Sequence, residues 1–445
     1  MIFRWIFTSI LILFCQSFLV GQDLPKFDAR EAVRYGLKNH SRISNEKKNL
    51  EYREWLTKKE KSNYLPSVNA SADYRYNTNL PVTILPAEAF GQQSDGPLEI
   101  QMGTRNSLQG GINLEQDVYN SVIHSRINEK EIQKNMAEVN IAAIRKTVAL
   151  DIKRSYYQAV LNYEVWQASK DILQNYENLE AAVRVKFENG LISENDLNQI
   201  IKKRQNQSEE IKINRMEFQN SLKRLKMSMD YPVGKELTIA DSLVISLVSD
   251  VTIQKSDSFA YRRLPEYRDI SLQESLNEAR ISTLVKRYHP RIQAYGFFGA
   301  QYYDDTFQPF QNDNRWYHHS YLGLKLQLPI FKGLERNRQK QALKIRSDIL
   351  SQKRTKLASD LQRRENILKE NIIIKSKQAV KKKNDYRFSY DSFTDMINNF
   401  ENGLTDFENV LRSEIEMMVQ YQAYLNSMVN VLNVYLDYEK IIAAY

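Results

Sequence analysis

Phe187-Glu188-Asn189-Gly190-Leu191 recurs as Phe400-Glu401-Asn402-Gly403-Leu404, 213 residues further along the chain. Gly111-Ile112-Asn113-Leu114 pairs with Gly323-Leu324-Lys325-Leu326 at an offset of 212, and Tyr64-Leu65-Pro66 with Tyr288-His289-Pro290 at 224. Two nearly constant offsets describe a tandem duplication, with one loop longer in the first copy. The period is far too long for a solenoid. One large unit is therefore written twice.

Each copy has the same order. A helical segment opens it, about residues 29–62 and 266–286, and two short strands follow. A very long helical segment comes next, about 119–187 and 331–400, then a reversal at 188–190 or 401–403 and a return helix. At about 1.5 Å per residue each long segment reaches on the order of 100 Å. Ile141, Ile144, Val148, Ile152, Tyr156, Val160 and Tyr163 step by three and four; Leu343, Leu350 and Leu357 step by seven, and Leu361 and Leu368 continue that stripe. The last helix carries Leu411, Ile415, Met418, Tyr421, Leu425, Met428, Leu432, Tyr435 and Tyr438. Such narrow stripes on charged helices predict coiled-coil-like packing.

The strands alternate. Val68, Ala70, Ala72, Tyr74 and Tyr76 oppose Ser67, Asn69, Ser71, Asp73 and Arg75; Leu322, Leu324, Leu326, Leu328 and Ile330 oppose Tyr321, Gly323, Lys325 and Gln327. Strands are expected at about 65–77, 106–118, 290–303 and 319–331. Segments of about ten residues with one apolar face match transmembrane β-barrel strands. A half-buried sheet in a soluble domain would alternate in the same way. Aromatic residues at the strand ends and the polar loops at 78–103 and 304–318 favour the membrane. Four strands cannot close, because open edges in hydrocarbon leave backbone groups unpaired. Two copies supply eight strands and three supply twelve; the residues alone do not choose.

Composition narrows the function. Only 14 Gly and 10 Pro in 445 residues argue against an all-β chain. A single Cys excludes an intramolecular disulfide framework. Arg4 precedes an apolar stretch from Trp5 to Val20, which reads as a signal peptide over residues 1–21, with an uncleaved membrane anchor as the alternative. Leu13 and Phe14 before Cys15 argue against a lipoprotein. Export weighs against nucleic acid as a partner despite the net charge of +9. The histidines His40, His124, His289, His318 and His319 show no metal-ligand spacing, and Met417-Met418 reads as helix packing. The basic run Lys375–Lys383 reads as a solvated face or a contact for an acidic partner. No Walker sequence, nucleophile elbow or dinucleotide fingerprint occurs. Neither an enzyme nor a cofactor is expected.

Phe27-Asp28-Ala29-Arg30-Glu31-Ala32-Val33 with Leu37-Lys38-Asn39, Leu65-Pro66, Leu328-Pro329-Ile330-Phe331-Lys332-Gly333 and the two Phe-Glu-Asn-Gly-Leu turns together resemble the TolC family of outer-membrane efflux proteins. The resemblance covers nearly the whole mature chain. It implies a mainly α fold with a transmembrane β-barrel portion: a homotrimer joining a twelve-stranded barrel in outer-membrane lipid to a periplasmic α-helical barrel. The first repeat would span 22–229, an equatorial insert 230–264 and the second repeat 265–445. The implied role is the exit duct of a tripartite efflux or type I secretion system in a Gram-negative outer membrane. Its partners would be a periplasmic adaptor and an inner-membrane transporter.

The resemblance places Gly190 and Gly403 at the periplasmic tip and keeps Asp196, six residues after the first turn glycine. Where the family can carry a Tyr–Arg lock, this chain has Phe400 and Thr405; where it can carry an acidic ring, Asn409 and Arg412. Three Arg412 side chains around one opening would disfavour cations, unless Glu408 or Glu414 pairs with them. Leu322, Leu324, Leu326 and Leu328 are the expected lipid-facing residues. A secreted coiled coil or cell-surface adhesin is the second functional reading, since long helices alone support it.

Overall fold

The computed structural model describes residues 26–85, 98–240, 259–311, 316–331 and 333–442. The expected signal peptide and the middle of the expected insert, residues 241–258, lie outside the described residues. The elements are β1 (Lys26–Phe27), α1 (Ala29–Asn39), α2 (Ser41–Ser62), β2 (Ser67–Tyr76), β3 (Val82–Leu85), β4 (Leu98–Gln101), β5 (Asn106–Asn120) and α3 (Ser121–Glu188). There follow α4 (Glu194–Ser228), β6 (Thr238–Ile239), α5 (Pro265–Lys286), β7 (Arg291–Asp304), β8 (Trp316–Gln327), α6 (Glu335–Glu401) and α7 (Phe407–Ile442). The duplicated order is thus observed: two strands, a long helix and a return helix in each copy. Two compact units result, one built from 49–138 and 269–354, the other from the remainder.

The first unit holds an antiparallel sheet in the order β2-β5-β7-β8. Its register aligns the alternations of the four strands. Val68 faces Leu114, Ala70 faces Ile112, Ile112 faces Phe298, and Ala294 faces Leu324. One continuous apolar face follows, and it is exposed in the single chain: Leu322 is 86% and Leu324 73% accessible. The opposite face is polar on β2 and β5, where the Asn113 amide donates to Ser71 at 3.0 Å. On β7 and β8 that face is aromatic, with Phe297 stacked on His319 and on Tyr321. Arg291 closes the base of the sheet on Asp117 at 2.7 Å. The Asn120 carboxamide oxygen accepts from the Val122 amide at 3.1 Å, so the chain leaves β5 and enters α3 through an N-cap.

Two expectations change here. The strand expected over 319–331 starts earlier and ends at Gln327, so Leu328 lies beyond the ladder. Pro329 has no amide proton to donate and restricts the residue before it, which stops pairing. The polar loop after β2 contains a ribbon of its own, β3 paired with β4 through Val82–Gln101 and Leu85–Leu98.

Gly299 shows how tightly β7 approaches β5: a Cβ there would stand 2.3 Å from the Gly110 carbonyl oxygen and 2.6 Å from the Phe297 ring. The obstacle is backbone, which cannot rotate away. Gly299→Ala is therefore expected to destabilise the sheet by about 1–3 kcal/mol. Gly110→Ala has open space around its Cβ and is expected to fold like the parent in the same denaturation experiment.

In the second unit, Asp28 and Glu31 form a capping box that starts α1. Ala32, Val33, Ile152, Tyr156, Leu225, Met229 and Leu432 are packed into one core, and the Tyr156 hydroxyl donates to the Phe27 carbonyl at 2.9 Å. The expected stripe Val148, Ile152, Tyr156 and Val160 is the buried face of α3. β1 pairs with β6 in parallel, tying the start of the described chain to residues of the expected insert. A second core gathers Ile172, Tyr176, Phe393, Phe400, Phe407 and Met417. On α7 the expected stripe is displaced near its start. Phe407, Val410, Glu414 and Met417 are buried, whereas Ile415 and Met418 are exposed. Both rows are rich in apolar residues, and packing on Phe393 and Phe400 selects the first.

Candidate functional site at the helix turns

The two Phe-Glu-Asn-Gly-Leu segments form the same turn. Gly190 has φ of 71° and Gly403 of 75°. The Gly190 amide donates to the Phe187 carbonyl and the Leu191 amide to Lys186, both at 2.9 Å; Gly403 and Leu404 donate to Phe400 and Asn399 at 3.1 and 2.9 Å. This pair of bonds is the Schellman arrangement, which satisfies the last carbonyls of a helix and needs a left-handed residue at its centre. Asn189 and Asn402 add side-chain bonds to the Val185 and Asn398 carbonyls at 2.7 and 2.8 Å. A Cβ at either glycine meets open space, so substitution is opposed by backbone conformation alone. Gly403→Val is expected to cost about 1–2 kcal/mol. Gly403→Asn, whose side chain tolerates that conformation, should recover most of it in thermal unfolding.

The return helices start with equivalent caps. Ser193 and Asp196 form a capping box at α4. At α7 the Asp406 carboxylate accepts from the Asn409 amide at 2.9 Å, and the Asn409 carboxamide reaches Thr405 at 3.3 Å. Asp196 is thus part of the cap of α4, whereas at α7 Asp406 is the cap, Asn409 the residue whose amide it holds, and Thr405 the partner of the Asn409 side chain. Phe400 is a core side chain, 2% accessible, against Phe407 at 5.9 Å with the Lys186 ammonium over its ring at 5.0 Å. Arg412 and Glu408 form an i,i+4 pair at 2.8 Å, both largely exposed.

One buried polar group that ties the two copies together was not among the expected site residues. Glu414, 5% accessible, accepts from the Tyr176 hydroxyl at 2.5 Å. It also takes two bonds from the Lys203 ammonium at 2.8 and 2.6 Å. Tyr176 and Lys203 come from α3 and α4 of the first copy, Glu414 from α7 of the second. Burial, then the Glu414 charge and hydrogen bond, push the Tyr176 hydroxyl well above its ordinary range. Nearby, Glu180 is held by Arg184 at 2.9 Å and Arg204 at 2.6 Å. Burial acts to raise its carboxyl pKa, but the two guanidinium bonds outweigh it and the pKa is lowered. The sequence signal for Glu414 was a carboxylate at helical spacing from Val410 and Met417, an acid placed on an apolar row. Among the described residues no group of three potential metal ligands occurs, and no helix is long and apolar enough to cross a membrane.

Residues 37–225 match the family model for outer membrane efflux protein. The fold is similar to VceC of Vibrio cholerae, with TM-score 0.70, 12% identity, and 94% and 96% of the two chains covered. It is similar to CusC (TM-score 0.72, 12% identity, 95% and 93% covered) and to the Campylobacter jejuni channel CmeC (TM-score 0.66, 15% identity, 93% and 84% covered). No curated protein matches the chain in sequence. The resemblance to the TolC family of outer-membrane efflux proteins holds: the family's sequence pattern is present in the first copy, and the fold of its channels runs through nearly the whole chain.

Proposed function

We propose that this chain, with the family pattern and the fold of outer-membrane efflux channels, is the passive exit duct of a tripartite efflux or type I secretion system. The carrying observation is the four-stranded sheet with one exposed apolar face and two unpaired edges, β2 and β8. Because the strand number is even and every pair is antiparallel, β8 of one copy meets β2 of a rotated copy antiparallel as well. Such a head-to-tail contact makes a ring when the rotation between copies closes. Lipid contact then stabilises the apolar face, and closure removes the unpaired edges. The number of copies comes from the family resemblance, which implies three; with four strands from each chain the ring then has twelve. The helical turns would then sit at the periplasmic tip, facing an adaptor and an inner-membrane transporter.

Extraction of the outer membrane in mild detergent tests the assembly. An unheated gel sample running as three chains, which collapses to one on boiling, is expected. A stable monomer in the membrane fraction would instead favour the second reading, a secreted coiled coil or adhesin, although such a protein has no need of barrel-type strands.

Ion selectivity at the tip follows from the pair at its rim. With Glu408 on Arg412 the local charge cancels, so the rim should impose little ion preference, and Arg412→Ala, which leaves three Glu408 carboxylates uncompensated, should move the reversal potential towards cations in planar bilayers. Glu408→Gln exposes three permanently charged guanidinium groups and should move the channel towards anions. An anion preference in the parent channel that Arg412→Ala abolishes would show that Glu408 does not neutralise the ring.

A further inference from the structure

A cavity of about 310 Å³ opens among α3, α6 and α7, away from the turns and within one compact unit. Tyr386 and Tyr390 enter it from α6, Tyr421 and Tyr424 from α7. Tyr386 lies parallel to Tyr424, with centroids 5.9 Å apart and planes 5° apart, and meets Tyr421 at 5.0 Å. The Tyr421 hydroxyl is buried and makes no hydrogen bond. From α3, Glu164 faces this wall with Lys383 as the opposing charge; burial raises its carboxyl pKa more than Lys383 lowers it. Asp171 and Arg387 also line the cavity, so its charges stand two against two, and at Glu164 burial outweighs the attraction of Lys383.

These features select a ligand. The faces of phenol rings carry negative potential, so they attract cations and disfavour anions. A carboxylate short of compensation adds to that preference. The ring planes favour a flat apolar body, and the cavity lies at the lower end of small-molecule sites. We propose that this cavity binds a planar aromatic monocation, with its rings against Tyr386 and Tyr424 and its charge held by Glu164. Lys383 is the built-in competitor for that carboxylate. The site does not depend on the channel reading, since it needs only the packing of three helices.

Ethidium is the probe, titrated into the full chain in detergent and followed by its fluorescence, with uncharged phenanthridine as the comparison. Saturable binding at one ethidium per chain is expected, with phenanthridine a poor competitor. Glu164→Gln should weaken it by about tenfold, through loss of a charge in a partly desolvated site. Lys383→Met should tighten it severalfold, by removing the competing cation. Non-saturable uptake, unaltered affinity in a folded Glu164→Gln chain, or weaker binding in Lys383→Met would each overturn the proposal. Should Glu164→Gln fail to fold, the direction of the Lys383→Met change decides alone.

Discussion

Arginine at position 324 is expected to cost the assembled barrel about 2–4 kcal/mol, whereas arginine at 325 or 327 should cost little. Leu324 pairs with Ala294 in the middle of β8, on the face where Val68, Ile112 and Leu322 are also exposed. A guanidinium there must be carried into hydrocarbon or drag the strand towards the interface. Lys325 and Gln327 project from the other side of the same strand, beside Gln293 and Arg291, where a further cation meets water. The measurement is the amount of heat-resistant oligomer recovered from outer-membrane fractions, followed by denaturant unfolding in detergent. Equal tolerance at 324 and 325 would show that the apolar face does not meet lipid, and the duct reading would fall with it.

The second large effect concerns the buried carboxylate that joins the two copies. Glu414→Ala removes the acceptor of the Tyr176 hydroxyl and the counter-charge of Lys203 in one step. A buried hydroxyl left without a partner costs about 1–3 kcal/mol, and loss of one member of a buried ion pair costs about 3–5 kcal/mol when the other is trapped. Lys203 is not trapped, since a third of its side chain is accessible. A net loss of about 2–3 kcal/mol is therefore expected. The double variant Glu414→Leu with Tyr176→Phe should regain most of it, because neither polar group then remains unpaired and Lys203 turns to water. Calorimetric unfolding of the detergent-solubilised chain reads both. An unchanged midpoint in Glu414→Ala would show that the cluster contributes nothing to holding the first copy against the second.

The duplication, the strand alternation and the turn pentapeptides were legible because each depends on local chemistry alone. A glycine that must be left-handed and leucines at every second position carry their meaning in their spacing. The four strands were accordingly located to within a few residues, and the ends of the long helices at the reversals to within one. The same local reading placed Asp196 and Asn409 at equivalent positions after their turns, which the capping bonds explain.

What the sequence could not settle depended on which of two surfaces another element would cover. On α7, the row Leu411–Ile415–Met418 and the row Phe407–Val410–Met417 are both apolar, and only packing against Phe393, Ile397 and Phe400 decides for the second. That choice buries Glu414 and leaves Arg412 exposed beside Glu408. It also takes Phe400 out of any lock, because its ring completes a core. The tyrosines at 386, 390, 421 and 424 belong to two helices separated by a turn, so their convergence on Glu164 of a third helix is a tertiary fact. Periodicity determines that a helix has a buried face; the side chains of its neighbours determine which face that is and what polar group is enclosed with it.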